Sequence, residues 1–152
     1  MRAPYPMLWF ASEAEEAVRL YTSVFPDSQV LHVQASSGDA PGAPPGAPLT
    51  IEFTLGGAPF TALNGGPHHE FNDAMSLVVE CHGQDELDRV WDALLDGGGQ
   101  TVQCGWLTDR FGVRWQVVPD NLGELLATPA AIRAMLAMVK LDIAALEAAG
   151  RG

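Results

Sequence analysis

Apolar positions along this chain recur at two periods, and the switches between the periods mark out its elements. Tyr5–Phe10 is a short apolar run that predicts a strand. Ala17, Leu20, Tyr21, Val24 and Phe25 then recur at helical spacing and predict a helix with one buried stripe. Ser12 reads as its N-cap, with Glu15 reaching back in a capping box, and Pro26-Asp27 end it. Gln29–Ala35 predicts a second strand. Ser36–Pro48 holds Pro41, Pro44, Pro45 and Pro48 plus three glycines, and predicts a mobile surface loop. Leu49–Leu55 alternates as a third strand, Gly56-Gly57 reads as a hairpin turn, and Pro59–Asn64 is a fourth strand with Pro59 tolerated at its start.

After a polar connection, Asn64–Asn72, the order restarts. Ala74–Cys81 is strand-like. Asp85–Leu95 is helical, with Leu87, Val90, Trp91, Leu94 and Leu95 on one side, and Gly97-Gly98-Gly99 ends it. Thr101–Cys104, Trp106–Asp109 and Val113–Val118 predict three more strands. Thr128 as N-cap and Pro129 at the first helical position open a last helix, on which Ile132, Met135, Leu136, Val139 and Ile143 form a continuous apolar stripe.

The restart is an internal repeat. At a shift of 70, Arg19-Leu20-Tyr21 falls on Arg89-Val90-Trp91 and Val24-Phe25 on Leu94-Leu95. At a shift of 55, Gly57–Ala62 falls on Gly112–Val117, the difference being mostly the Pro/Gly loop of the first half. The identity is sparse, so the repeat rests on pattern. The expected fold is α+β: two tandem βαβββ modules, about 4–66 and 72–120, then a C-terminal helix over about 129–148.

The stretch Cys104–Pro119 organises the second module. Asp109-Arg110-Phe111-Gly112 supplies a tight turn between two strands, with Gly112 free to take a positive φ. On the outgoing strand Trp115 and Val117 share one face, and Arg114, Gln116 and Val118 the other. Gln116 is either a satisfied core amide or a group facing a pocket. Glu52 likewise alternates with Ile51 and Phe53, so it lies on a solvent face or on the cavity face of a curled sheet.

Charge narrows the partners. With 8 basic against 19 acidic residues, the net charge is −11 at pH 7, and Lys140 is the only lysine. Such a chain lacks the basic footprint that nucleic acid or an anionic membrane surface requires. Two cysteines, Cys81 and Cys104, with no C-x-x-C fit a reduced, cytoplasmic setting. No basic-then-apolar leader precedes Tyr5, and no apolar run approaches the roughly 18 residues of a membrane span.

The segments L-W-F-A-S-E-A-E-E-A-V-R-L-Y-T-S-V-F-P-D-S (Leu8–Ser28), F-T-A-L-N-G-G-P (Phe60–Pro67), Q-C-G-W-L-T-D-R-F-G-V-R-W-Q-V-V-P (Gln103–Pro119) and A-M-L-A-M-V-K-L-D-I-A-A-L (Ala134–Leu146) come in family order. Together with the doubled βαβββ pattern, they resemble the PhnB-like branch of the vicinal oxygen chelate superfamily, which includes glyoxalase I, bleomycin-resistance proteins and extradiol dioxygenases. This branch often carries the name 3-demethylubiquinone-9 3-methyltransferase. The resemblance covers nearly the whole chain, 1–152, as a single glyoxalase-like domain. It implies paired modules that each curl a sheet around a cavity, completed in a two-fold homodimer.

Metal enzymes of the superfamily take His, Gln or Glu ligands from the first and last strand of each module. Here those places carry Tyr5-Pro6 and Thr61 in module one, and Met75-Ser76 and Gln116 in module two. Gln116 stands where the superfamily's D-P-x-G-x-x-x-E pattern has glutamate. This set predicts no divalent metal. A doubly wound S-adenosylmethionine site needs a glycine-rich strand-to-helix turn, and Gly97–Gly99 and Gly56-Gly57 lie elsewhere, so no cofactor is expected. His68-His69-Glu70 is read as a solvated loop rather than a metal cluster, and His32 and His82 as ordinary strand-end residues. Cys104 reads as a small buried thiol rather than a nucleophile, and Asp109 as a turn residue rather than a catalytic acid. The expected ligand pocket is lined by Trp9, Glu52, Phe53, Thr61, Cys104, Trp106, Trp115 and Gln116. It would hold a small organic molecule without chemistry. The alternative is an enzyme on a small polar substrate, with Glu52 or Asp109 as base and Gln116 as orienter.

Overall fold

A computed structural model describes residues 3–151. They form two compact units that divide between Phe71 and Asn72.

The first unit runs β1 (Met7–Phe10), α1 (Ala14–Val24), β2 (Gln29–Ala35), β3 (Pro48–Leu55) and β4 (Ala58–Asn64). The sheet order is β1-β4-β3-β2, with β1 parallel to β4 and the other pairs antiparallel. Gly56 and Gly57 join β3 to β4 at φ 55° and 76°, the doubly left-handed geometry of a two-residue hairpin that twists with its strands. Strand partners in register share a face. One face carries Leu8, Phe10, Ile51, Phe53 and Ala62, all buried, and α1 lays its stripe of Ala17, Val18, Tyr21 and Val24 against β3 and β4. Complete burial of Phe53, stacked on Phe60, contributes about 1.5–3 kcal/mol. At the edge of the sheet β2 is exposed along its whole length.

The capping box expected at Ser12 does not form. Asn64, at the end of β4, takes its place: Oδ1 accepts from Ala14 N at 2.8 Å, while Nδ2 donates to Pro48 O at 2.9 Å. Glu15 is thereby released to pair with Arg19 at 3.0 Å. The loop expected to be mobile is internally bonded. Ser36 N donates to Ala47 O, Gly46 N to Ser36 O, and Ser36 Oγ to Ala43 O, and Ala43 is buried.

The second unit repeats the plan with β5 (Leu77–Cys81), α2 (Gly83–Leu95), β6 (Gln100–Thr101), β7 (Trp106–Thr108) and β8 (Arg114–Pro119), in the order β5-β8-β7-β6. Again the first strand is parallel to the last. Met7 pairs with Thr61, and Val78, 71 residues after Met7, pairs with Gln116, 55 after Thr61. The repeat is therefore structural, with the first strands offset by one more residue than the helices suggest.

Two expectations fail here for the same reason, a long-range backbone contact. The strand predicted over Thr101–Cys104 stops at Thr101, and Cys104 turns left-handed at φ 58°. Cys104 N and Gly105 N then donate to Met138 O and Val139 O. Those carbonyls belong to the stretch that breaks the last helix. The single helix expected over 129–148 is α4 (Pro129–Leu136) and α5 (Ile143–Arg151), preceded by a short α3 (Leu122–Leu125) that the pattern does not predict. Thr128 caps α4 as expected, its Oγ1 accepting from Ala131 N at 3.1 Å. Between α4 and α5, Leu141 is buried, Lys140 pairs with Asp88 at 2.8 Å, and Gln84 bonds both Leu141 O and Ile143 N. Asp142 then caps α5 through Ala145 N. Among the described residues no helix is long and apolar enough to cross a membrane.

Candidate functional site

Each sheet has one face covered by its helix and one that is not. In the first unit the uncovered face carries the register row Met7, Thr61, Glu52 and His32, with Trp9 and Leu63 beside it. Met7 and Glu52 are exposed and Thr61 is buried. Trp9 is fixed at both ends: its Nε1 donates to Gly66 O at 2.9 Å, and its ring meets the edge of His69 at 4.8 Å. Phe53 lies on the opposite, helix-covered face, so it is not brought to Trp9, Glu52 and Thr61.

In the second unit the uncovered face carries Val78, Gln116 and Trp106 in one row, with Thr108 and Arg114 in the next. Gln116 Nε2 donates to Ser76 Oγ at 2.8 Å. Trp115 lies on the other face, 2 % exposed, where its Nε1 donates to Asp109 Oδ2 at 2.8 Å. Asp109 is itself buried, and its Oδ1 accepts from Phe111 N and Val113 N at 2.9 and 3.0 Å. Its carboxylate thus organises the β7–β8 turn by accepting from this chain's own N–H groups.

Beside Trp106 lies an open cleft of about 280 Å³. Val102, Cys104 and Trp106 form its predominantly apolar wall with Leu107, and Gln103, Asp73 and Arg114 bring polarity to its rim. Of the residues expected to line a pocket, this cleft gathers Cys104 and Trp106, while Gln116 and Trp115 do not line it. Arg114 and Asp73 are the ones sequence reasoning missed. Arg114 had a signal: a charged residue on the Gln116 face of an apolar strand. Asp73 had none, because its partner lies far along the chain: Arg114 Nε donates to Asp73 Oδ1 at 2.8 Å. Arg114 Nη1 donates to Gly112 O at 2.6 Å.

The two thiols differ. Burial, reinforced by the Glu86 carboxylate, pushes Cys81 up to about 11. Cys104 is half-buried at the cleft. A thiol reagent at pH 8 is therefore expected to modify the half-buried Cys104 first, because Cys81 is both buried and held as the unreactive thiol. Cys104→Ser should remove the fast phase; two equal phases would contradict this placement. Immediately after β5, His82 Nδ1 lies 2.9 Å from Asp120 Oδ2, and that bond raises the imidazole above its ordinary value.

Paired βαβββ units, each with its first strand parallel to its last, define the glyoxalase/bleomycin resistance/dioxygenase class of folds. A domain of that description from a Frankia species superposes with a TM-score of 0.50 at 12% identity, over 78% of this chain and 92% of that one. The sequence model of the 3-demethylubiquinone-9 3-methyltransferase family matches residues 3–118, and the chain belongs to that family. The PhnB protein from Bacillus cereus is 31% identical, with a TM-score of 0.68 over 77% of this chain and 99% of that one. A protein from Pseudomonas aeruginosa is 21% identical, with a TM-score of 0.62 over 78% and 97% of the two chains. No curated protein matches.

The superfamily's metal can be tested against the donors present. In module two the two ligand places, Ser76 and Gln116, bond each other. In module one Thr61 N is bonded to Pro6 O at 3.0 Å. Neutral amide and hydroxyl oxygens without a carboxylate or imidazole do not fit a divalent cation. Among the described residues no group of three or more His, Cys, Asp and Glu side chains converges elsewhere, His68-His69-Glu70 included. S-adenosylmethionine fits no better. The first N–H of α1 is taken by Asn64, and Glu86 folds back on His82 N at the start of α2, so neither helix start offers a glycine-rich cradle.

Proposed function

We propose that this chain is a PhnB-like binding protein that holds a small organic ligand on the uncovered face of its second sheet, without a superfamily-type metal. The observation that carries the reading is the cleft beside Trp106: an apolar wall with a few polar groups at its rim is the usual composition of a small-molecule site. The enzymatic alternative draws less support. Glu52 stands exposed on the first unit, and Asp109 is buried and engaged in its turn. Calorimetry with neutral aromatic fragments such as indole and 2-naphthamide is the test. Saturable binding that Trp106→Ala weakens at least ten-fold is expected. Absence of saturable binding to any fragment would overturn the reading, as would one Ni, Zn or Fe per chain in untagged protein.

The assembly belongs to the same proposal: a two-fold homodimer in a cytoplasmic setting, without nucleic-acid or membrane partners. Supporting it are large apolar side chains left exposed in the single chain, Val30, Leu31 and Val33 on the β2 edge and Ile132, Leu136 and Val139 after the modules. Sedimentation at micromolar concentration is expected to give twice the chain mass, and a clean monomer would defeat the claim.

A further inference from the structure

We propose that the ligand of this cleft is a small aromatic carboxylate, with Asp73 holding the place of the ligand's anionic group on Arg114. The inference rests on the ligand-binding reading above and adds the chemistry of the ligand. Arg114 projects from β8 on the same face as Trp106: its register partner is Thr108, and Trp106 sits two residues before Thr108 on β7. Arg114 and Trp106 are thus diagonal neighbours across two strands, close enough for one ligand to reach both.

The guanidinium is half used. Nη1 is committed to Gly112 O, which fixes the plane of the group. Nε and Nη2 form its other edge, a fork matched to the two oxygens of a carboxylate. Asp73 engages that edge through Nε alone, at 2.8 Å, and Nη2 has no hydrogen-bond partner among the described residues. Asp73 is also weakly held: its side chain is 80 % exposed, against 23 % for Arg114. An exposed, single-point ion pair contributes little, so an incoming carboxylate that takes both Nε and Nη2 gains a bond and displaces a partner that water readily receives. The rest of the cleft asks for an apolar, flat body. Trp106 offers a half-buried ring, Val102 offers aliphatic surface, and about 280 Å³ suits one or two rings rather than an extended ligand. In a chain of net charge −11, this recognition must be local, because the overall field repels anions.

The experiment compares 2-naphthoate with its neutral isostere 2-naphthamide by calorimetry on the full chain. Wild type is expected to bind the carboxylate at least ten-fold tighter than the amide. Arg114→Gln should remove that preference. Asp73→Asn should tighten naphthoate at least three-fold, whereas Asp85→Asn, which removes a charge on α2 away from the cleft, should change it less than 1.5-fold. Equal affinities for the two probes in wild type would overturn the inference and leave the ligand-binding reading standing. Failure of both probes to saturate would sink the two together. An Asp73→Asn protein that binds naphthoate no tighter than wild type would remove Asp73 from its assigned role. The wild-type and Asp73→Asn measurements decide the matter even if Arg114→Gln does not fold.

Discussion

Asp109→Ala is expected to lower the unfolding free energy by about 3–5 kcal/mol, read as a fall in the urea midpoint with little change in slope. The carboxylate is 3 % exposed and accepts from Phe111 N, Val113 N and Trp115 Nε1. Alanine leaves those donors without their acceptor around a tryptophan that is itself 2 % exposed. Each stranded buried donor costs about 1–3 kcal/mol, partly relieved where the turn can open to water. Asp109→Asn separates shape from charge. Its Oδ1 can still accept from the turn, but its amide NH2 then faces Trp115 Nε1, donor against donor. Adding Trp115→Phe to the Asp109→Asn variant should recover part of the loss by removing that clash, and additive losses would show that the Trp115 bond is not the main contribution. Asp109 also sets the register in which Arg114 leaves the turn, so a folded Asp109→Asn protein is expected to bind cleft ligands more weakly than wild type.

What was legible in the sequence follows the range of each interaction. Periodicity finds β2 at Gln29–Ala35, and the Gly56-Gly57 hairpin and the Thr128 cap are local chemistry that the structure keeps. The doubled βαβββ order is visible because burial imposes the same pattern twice. Misreadings occur where a partner from far along the chain displaces a local one. Asn64, 50 residues from Ala14, replaces the Ser12 cap. Backbone bonds to Cys104 and Gly105, and Gln84 beside Leu141 and Ile143, hold open a helix whose local pattern is continuous. The site divides in the same way. Trp106 could be read from a strand pattern, and Asp73 could not, since nothing within its own stretch of chain points to Arg114. The face of a residue was legible, but its use was not: alternation sets Phe53 opposite Glu52, and including both in one pocket conflicts with that alternation.

Gly42→Ala is expected to destabilise the first unit by at least about 3 kcal/mol, the upper end of the range for overpacking. The segment around it has the composition of a free loop, yet Gly42 is pressed against backbone. A Cβ there would overlap Ala11 O and Gly66 N and come within 2.8 Å of Asn64 C. Gly66 N donates to Ala11 O at 3.0 Å, so the added methyl would wedge into a bond that ties the exit of β4 to the exit of β1. None of these atoms belongs to a flexible side chain that can swing aside. Asn64, which caps α1 and holds Pro48, lies in the same seam, so the strain reaches the helix start. Gly46→Ala is the control within the same loop. Its Cβ would meet nothing within 4 Å, and only its left-handed φ of 82° opposes substitution, at about 1–2 kcal/mol. If docking holds the loop, Gly42→Ala should lose more stability than Gly46→Ala, and proteinase K should cut it within residues 36–48 under conditions where wild type stays whole. A wild-type loop cut as readily as the Gly42→Ala one would mean that composition, and not the contacts of Gly42, decides its behaviour.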